Sequence, residues 1–220
     1  MKTEEIKITT EYIKLDQLLK FAGLASNGAE AKDMILDEIK KANVEAKQKI
    51  AEKVSTLFHD GDCIMIDASS TALLLLNYIK NLKNITLITN SVEALIELSD
   101  KDDWNVFSTG GKLKRGSLSL VGPSAEKTIR SYHVDYAVCS SKGIDIRRGI
   151  TDSNEKDSEM KQAIFDSAET KILVVDSSKF DRISLIKVGD IGDVDVIATD
   201  SEPSANWQEY LKTKNIDLIY

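Results

Sequence analysis

The chain has 220 residues, of which 42% are hydrophobic and 30% are charged, and its formal net charge is −7. This length fits one large or two modest domains, and the composition excludes a disordered or fibrous protein. No apolar run approaches the roughly 18 residues that span a bilayer, and the N-terminus lacks the apolar region of a signal peptide. We therefore expect a cytoplasmic protein without a membrane partner.

The charge is distributed unevenly along the chain. Residues 1–58 carry ten Lys or Arg and ten Asp or Glu, so residues 59–220 carry nineteen against twenty-six and hold the whole acidic excess. A surface that binds nucleic acid is normally basic. The main body of the chain is therefore not expected to bind nucleic acid.

The sequence has no recognisable motif of a metal or catalytic site. His59 and His133 have no partners at metal-ligand spacing, no nucleophile–base pair is recognisable, and no Walker-type glycine-rich loop is present. Cys63 and Cys139 lie in apolar runs and are expected to be buried thiols rather than a disulfide, which suits a reducing compartment. We expect no metal, no cofactor and no catalytic residues.

The N-terminal part, residues 1–45, is predicted to be a short helical segment. An apolar helix face at i, i+3, i+4, i+7 spacing is supplied by Leu15, Leu18, Leu19 and Ala22. A loop that contains Gly28 and a second helix follow. A break near residues 37–48 separates this segment from a larger domain, residues 46–220.

From about residue 60 onward, short apolar runs alternate with amphipathic stretches. The predicted strands are Cys63–Asp67, Ile85–Thr89, Asn105–Ser108, Tyr136–Cys139, Lys171–Asp176, Val194–Thr199 and Asp217–Tyr220. The predicted helices are Ser70–Lys80, Val92–Leu98, Ser124–Tyr132, Lys156–Ala168 and Ala205–Lys214. The alternation predicts an α/β fold with a mostly parallel sheet covered by helices on both faces. Pro123 and Pro203 fall in predicted turns.

Small, hydroxylated or charged residues follow six successive predicted strands. In an open parallel sheet, ligands bind outside the carboxyl ends of the strands, so these loops are expected to meet at one edge. The loops are Asp67–Thr71, Thr89–Ser91, Thr109–Lys112, Ser140–Asp145, Asp176–Lys179 and Thr199–Asp200. Turn chemistry alone is a poor explanation for six such loops in series.

The loop Asp67–Thr71 precedes a predicted helix and is a candidate anion site. Ser69, Ser70 and Thr71 bring hydroxyls to a helix start, where backbone amides lack intrahelical acceptors and the helix dipole favours negative charge. The alternative is that these residues only cap the helix. Lys179 is the best candidate for a cation that faces the anion, with a solvated lysine as its alternative.

The other candidate ligand residues each have a structural alternative. The alternative for Thr89 and Asn90 is that they begin a helix without binding a ligand. The alternative for Gly110 and Gly111, and for Gly143 and Asp145, is that each pair forms a turn and has no other role. Glu159 and Lys161 could lie on the exposed face of their helix. The acidic run Asp152–Glu159 is expected to be solvated rather than to bind a metal.

These loops, in this order, resemble the C-terminal effector-sensing domain of DeoR-family transcriptional regulators over roughly residues 46–220. The segments that carry the resemblance are Lys49–Ala51, Asp60–Asp62, Ile66–Thr71, Leu87–Ser91, Ser108–Gly111, Leu120–Pro123, Val134–Asp135, Gly143–Asp145, Gly149–Thr151, Glu159–Lys161, Asp176–Phe180 and Ile197–Asp200. The resemblance implies a fold similar to ribose-5-phosphate isomerase, with catalysis lost in favour of sensing.

The same resemblance implies a phosphorylated sugar or polyol phosphate as effector. We also expect a homo-oligomer, and our hypothesis is that the effector changes its subunit packing. The resemblance places Ser69, Ser70 and Thr71 on the family's phosphate loop, and Asp67 and Lys161, which lie within its motifs, are also expected to bind the ligand. It places the other pocket residues at Thr89, Asn90, Gly110, Gly111, Gly143, Asp145 and Lys179. Ser69 departs from the family because it occupies a glycine position. A positive φ there would cost a serine about 1 kcal/mol or more.

The N-terminal part differs from that family, whose members begin with a winged helix-turn-helix that is not recognisable here. DNA binding would therefore need a headpiece that is not recognisable in the chain. Residues 6–36 instead resemble the first half of an S4-type RNA-binding domain, without the strand pair that should follow. The alternative is a helical hairpin or fusion segment with no RNA role. The rival functions are a sugar-phosphate isomerase with Asp145 as base and an RNA-binding protein.

Overall fold

The computed structural model describes residues 14–31 and 43–220. The chain falls into two compact units, Met1–Val44 and Glu45–Tyr220. In the first unit, helix α1 (Leu15–Phe21) and a helical turn at residues 28–31 are described. The Asn27 Oδ1 atom caps that turn by accepting hydrogen bonds from the amides of Ala29 and Glu30. Residues 6–13 and 32–36 of the predicted S4-like segment, and residues 37–42 of the predicted break, lie outside the described residues.

The second unit alternates strands with helices. Its strands are β1 (Cys63–Ile66), β2 (Thr86–Thr89), β3 (Asn105–Ser108), β4 (Lys112–Lys114), β5 (Ser119–Val121), β6 (Val134–Cys139), β7 (Gly143–Asp145), β8 (Gly149–Asp152), β9 (Ala168–Val174), β10 (Ile186–Gly189), β11 (Val196–Ala198) and β12 (Asp217–Ile219). Its helices are α2 (Val44–Ser55), α3 (Ser70–Ile79), α4 (Val92–Glu97), α5 (Pro123–Ile129), α6 (Glu155–Asp166) and α7 (Ala205–Thr213).

Seven strands form one sheet in the order β12-β11-β9-β6-β1-β2-β3, and every adjacent pair is parallel. Side chains alternate between the two faces of each strand. In β1, Met65 joins the apolar cluster with α5, α6 and α7, whereas Ile64 and Ile66 join the cluster with α2, α3 and α4. The predicted α/β fold with helices on both faces is confirmed.

Two small antiparallel sheets complete the unit. Strands β10, β8 and β7 form one, and the hairpin β4–β5 forms the other. None of these five strands was predicted, and neither was helix α2. Pro123 was predicted in a turn but occupies the first turn of α5, where a missing N–H breaks no hydrogen bond. The other predicted strands and helices are present, with ends displaced by up to three residues.

Polar side chains cap the N-termini of α3, α4 and α6. Ser69, Ser91 and Asn154 accept hydrogen bonds from the amides of Ala72, Ala94 and Asp157. These caps satisfy amides that have no intrahelical acceptor. Ser69 and Ser91 thereby begin their helices close after β1 and β2, at the carboxyl edge of the sheet.

Candidate functional site

The order of the strands places a topological switch point between β1 and β6. The chain fills one side of the sheet from β1 to β3, returns across it, and fills the other side from β6 to β12. Ligands bind at such a switch point, outside the carboxyl ends of the strands. The loops after the two strands are joined there, because the Ser140 amide donates to Asp67 Oδ2 at 3.4 Å and the Asp67 amide donates to the Val138 carbonyl at 3.1 Å.

The loop after β1 is a tight turn held by Asp67. The Ser69 amide donates to Asp67 Oδ1 at 3.1 Å, and the Ser69 hydroxyl donates to the same oxygen. Ser69 has φ −78° and ψ 147°, so the strain that a positive φ would bring to this glycine position does not arise. Among the described residues, no acceptor is found for the amides of Ser70 and Thr71, which are therefore available donors at this helix start.

Lys161 bridges two carboxylates beneath this turn. Its Nζ lies 3.0 Å from Asp67 Oδ2 and 3.0 Å from Asp152 Oδ2, and its side chain is only 11% exposed. Asp67 comes from the loop after β1, Asp152 ends β8, and Lys161 lies on α6. The alternative that Lys161 lies on an exposed helix face was wrong, because Ser158, Ile164 and Phe165 on the same face are buried.

Lys161 is stabilised in its charged form by both carboxylates. Burial opposes the charge of Lys161, but Asp67 and Asp152 outweigh burial and raise the pKa of its ammonium group. Burial also opposes the charge of Asp152, yet Lys161 and the Ser153 amide hold the pKa of that carboxyl below its usual range. The expectation that the run from Asp152 onward is solvated was wrong at Asp152, which is 2% exposed.

Further lysines surround the carboxyl ends of β6 and β9. Lys47 on α2 is 8% exposed. Burial lowers the pKa of its ammonium group, Asp176 opposes this, and Lys179 and Lys142 lower the pKa further. Lys47 is therefore close enough to Lys142 and Lys179 to be repelled by both. An anion among them would relieve that repulsion.

The loop after β9 repeats the turn that follows β1. The amide of Ser178 donates to Asp176 Oδ1 at 3.1 Å, and its hydroxyl donates to the same oxygen. A second carboxylate holds the turn, because the Ser177 amide donates to Asp200 Oδ1 at 2.6 Å. The turn presents Lys179, which is half-buried and lies 4.0 Å from Asp176 Oδ2.

Thr89 and Asn90 lie where β2 ends, and both are buried. The Thr89 hydroxyl donates to the Ile66 carbonyl at 3.1 Å and accepts from the Ser91 amide at 3.0 Å, so it links β1 to β2. Asn90 Nδ2 donates to the Leu120 carbonyl at 3.1 Å and thereby holds the β4–β5 hairpin. Asn90 Oδ1 is one of two buried side-chain oxygens that lack a hydrogen-bond partner among the described residues.

The predicted glycines and Asp145 have local structural roles. A Cβ atom on Gly143 would lie 2.4 Å from the Arg182 carbonyl, so only glycine permits this backbone approach. Gly111 has φ +102°, and its Cβ would lie 2.9 Å from Ala125 Cβ, whereas Gly110 faces open space. Asp145 Oδ1 accepts from the amides of Arg147 and Arg148, which forms the turn between β7 and β8.

The structure thus connects Asp67, Ser69 and Lys161 directly and places Ser70 and Thr71 at the helix start that follows. Lys179 lies on the loop after β9, two strands from β1 in the sheet. Sequence reasoning missed Lys47 and Asp152. The signal for Lys47 is its place on the apolar face of α2, because Lys47, Ile50, Ala51 and Val54 are buried at i, i+3, i+4, i+7. A lysine on an apolar stripe must have partners or a function.

Within residues 14–31 and 43–220, no group of three or more His, Cys, Asp or Glu could hold a metal ion. No helix in these ranges is long and apolar enough to cross a membrane. Both cysteines are free thiols; Cys139 is buried and Cys63 half-buried.

Comparison with protein families gives two matches. The family described as DeoR C terminal sensor domain matches residues 42–201. An S4 domain family matches residues 6–72.

Curated relatives carry the names of transcriptional regulators. The chain is 36% identical to the uncharacterized HTH-type transcriptional regulator YulB of Bacillus subtilis, over 81% of this chain and 69% of that protein. It is 32% identical to the HTH-type transcriptional repressor GlcR of the same species, over 80% and 67%. It is 27% identical to the glycerol-3-phosphate regulon repressor of Escherichia coli, over 81% and 71%.

Solved structures share the fold at low sequence identity. The delta subunit of eIF2B from Chaetomium thermophilum superposes with a TM-score of 0.54 at 14% identity, over 80% of this chain and 65% of that chain. Ribose-5-phosphate isomerase A from Methanocaldococcus jannaschii superposes with a TM-score of 0.46 at 19% identity, over 63% and 55%.

Proposed function

Because this chain belongs to the DeoR family of transcriptional regulators, we propose that its second unit senses a phosphorylated sugar or polyol phosphate. The effector binds at the carboxyl edge of the sheet, between β1 and β6. A relative named as a glycerol-3-phosphate regulon repressor supports a phosphorylated metabolite. The relatives' names as transcriptional regulators also support a cytoplasmic location.

The observation that carries this proposal is the pair of unfilled amides at Ser70 and Thr71. They begin a helix of ten residues, so they combine available donors with the positive end of a helix dipole. Lys179, Lys142 and Lys47 provide positive charge on the neighbouring loops and on α2. A phosphate dianion suits both features.

The remainder of the effector extends toward Asn90, Gly110, Gly111 and Asp145. Asn90 Oδ1 is a buried acceptor without a partner among the described residues, and the second carboxylate oxygen of Asp145 can accept from a sugar hydroxyl. Gly143 shapes the loop beside Asp145. Thr89 is not proposed to contact the effector, because its hydroxyl already donates one hydrogen bond and accepts another within the protein. Lys161 is not proposed to contact it either, because two carboxylates occupy its ammonium group.

Replacing Ser70 by proline tests the amides directly. Ser70 is the first residue of α3, where proline fits the helix, and Ser69 already has the extended backbone that precedes proline. Ser70→Pro removes the amide donor of residue 70. It should weaken binding of the phosphorylated effector by about 1.5–3 kcal/mol, as expected for a hydrogen bond to a charged group. The matched control, Ser70→Ala, keeps the amide and should bind almost as the wild type does.

The measurement is thermal unfolding against a panel of phosphorylated sugars and polyol phosphates, with the unphosphorylated compounds as controls. A specific effector at a hundredfold excess over its Kd should stabilise the fold by about 2.7 kcal/mol. Equal stabilisation of Ser70→Pro and Ser70→Ala would contradict an anion site at these amides. The absence of any stabilising phosphate would contradict the sensor proposal itself.

We propose that the protein is not an enzyme. An isomerase needs a carboxylate base over the substrate carbon, and Asp145, the candidate, already orders a turn with one of its oxygens. Incubation with aldose and ketose phosphates tests this. Interconversion in proportion to protein concentration would support the isomerase instead.

Regulation requires that the effector favour one of two states of the protein, since equal affinity for both shifts nothing. We propose a homo-oligomer whose subunit packing the effector changes, and DNA binding that depends on a headpiece. Sedimentation with and without the effector measures the first part. A single monomeric species under both conditions would contradict it.

A second activity, RNA binding by the N-terminal unit, is favoured by the S4 domain match to residues 6–72. The part of that match from residue 44 onward contributes α2, β1 and the start of α3 to the sensor unit. RNA binding would therefore depend on the preceding residues. A salt-dependent mobility shift with structured RNA that disappears on deletion of residues 1–36 would support it, and an undiminished shift would contradict it.

A further inference from the structure

Lys161 connects three segments that are distant in the sequence. Its ammonium group reaches from α6 to Asp67 after β1 and to Asp152 at the end of β8, at 3.0 Å in each case. The two carboxylate residues are 3% and 2% exposed, so water does little to screen these contacts.

The two oxygens of Asp67 have different partners. Oδ2 faces Lys161 and the Ser140 amide, whereas Oδ1 accepts from the amide and the hydroxyl of Ser69. The orientation of this one carboxylate therefore sets the turn from which α3 begins. The turn in turn sets the direction of the amides of Ser70 and Thr71.

Removing the lysine would leave two buried carboxylates that face the same point. Their repulsion has no other described counter-ion within salt-bridge distance, so Asp67 would have to turn away or take up a proton. Either change alters the acceptor that holds Ser69. The amides of Ser70 and Thr71 would then no longer be held in the orientation that the turn gives them.

We propose that Lys161 is a positioning residue of the anion site: it acts through Asp67 and does not touch the effector. This inference rests on the proposed function, because it assumes that the amides of Ser70 and Thr71 bind phosphate. It replaces the expectation from the family resemblance that Lys161 lines the ligand pocket.

The test uses inorganic phosphate as the probe and the full chain as the protein. Lys161→Met should weaken phosphate binding by about tenfold or more, the loss seen when groups that orient ligating residues are removed from metal sites. Lys156→Met, an exposed lysine on the same helix, is the matched control and should leave the affinity unchanged. Lys161→Arg keeps a cation between the carboxylates and should restore most of the affinity.

A charge-matched variant separates positioning from simple attraction. Lys161→Met combined with Asp152→Asn has the same net charge in the cluster as the wild type, but Asp67 has lost its link to α6. Positioning predicts that this variant still binds phosphate weakly. The double variant also has no repulsion between the two carboxylates. It therefore tests whether Lys161 is a positioning residue even if Lys161→Met alone fails to fold.

Amide NMR spectra add a signature that a loss of stability alone would not produce. Phosphate should shift the Ser70 and Thr71 amide resonances in the wild type and in Lys161→Arg, and should shift them much less in the charge-matched variant. Wild-type affinity in folded Lys161→Met, or in the charge-matched variant, would overturn the inference and leave the sensor proposal standing. Failure of the wild type to bind phosphate or any sugar phosphate would overturn both.

Discussion

Asp152 is a carboxyl group that the protein keeps charged although it is buried. Burial disfavours the charge, but Lys161 and the Ser153 amide lower the pKa of Asp152 below its ordinary value of 3.8. The unfolded chain therefore binds a proton at a higher pH than the folded protein does. Asp152 stabilises the fold above that ordinary value, and this contribution is lost as the pH falls through the folded-state pKa.

We therefore expect the wild type to lose unfolding free energy more steeply below about pH 4 than Asp152→Asn does. At neutral pH, Asp152→Asn should be less stable by about 1–3 kcal/mol, because Lys161 keeps only Asp67 as a counter-ion. Urea unfolding between acid and neutral pH measures both effects. Asp166→Asn is the control, because Asp166 pairs with Arg130 at an exposed site and should change stability little. Parallel curves for the wild type and Asp152→Asn would contradict this account.

The candidate site could be predicted from the sequence only where local pattern determines it. Asp67 and Ser69 were located because a turn followed by a helix start has a local signature, and parallel strands bring such turns to one edge. The role of Lys161 was missed because its two partners lie on other segments of the fold. Lysine is rarely buried, so a residue-by-residue reading assigns it to solvent.

The β4–β5 hairpin illustrates the same limit for elements. The strands of the main sheet were predicted because each contains a short apolar run. Strand β4 (Lys112–Lys114) has two lysines among its three residues, so its sequence has no apolar run to detect. Its strand structure depends on pairing with β5 and on hydrogen bonds between Leu120 and Asn90, which the local sequence does not reveal.

The hairpin is also tied to α6 by an ion pair between Lys114 and Asp157. We expect Lys114→Met to speed amide hydrogen exchange in residues 112–121 by a few-fold and to change global stability by less than about 1 kcal/mol, since partly exposed ion pairs contribute little. Hydrogen exchange with mass spectrometry measures this. Lys112→Met on the same strand is exposed and is the control. Equal exchange in both variants would show that the ion pair does not hold the hairpin.

At the scale of the whole molecule, the two faces of the sheet depend on different parts of the chain. One apolar cluster packs α5, α6 and α7 against the sheet, and the other packs α2, α3 and α4. Helix α2 contributes Ile50, Ala51 and Val54, all nearly inaccessible to solvent, to the second cluster. It also contributes Lys47 to the proposed anion site. We therefore expect both the stability of this unit and its proposed anion binding to require a helix that precedes the first strand.

Two truncations separate these requirements. A fragment of residues 44–220 retains α2 and should unfold cooperatively, with the same stabilisation by phosphate as the full chain. A fragment of residues 56–220 loses the buried side chains of α2, and one large buried aliphatic residue alone is worth about 2–5 kcal/mol. We expect it to expose the α3–α4 face, bind a hydrophobic dye and gain no stability from phosphate.

Lys47→Met in the longer fragment tests the charge of Lys47 separately from the packing of α2. Only Lys47→Met should weaken phosphate binding, and Lys49→Met is the exposed control. An unfolded 44–220 fragment would instead mean that the sensor core requires residues before 44.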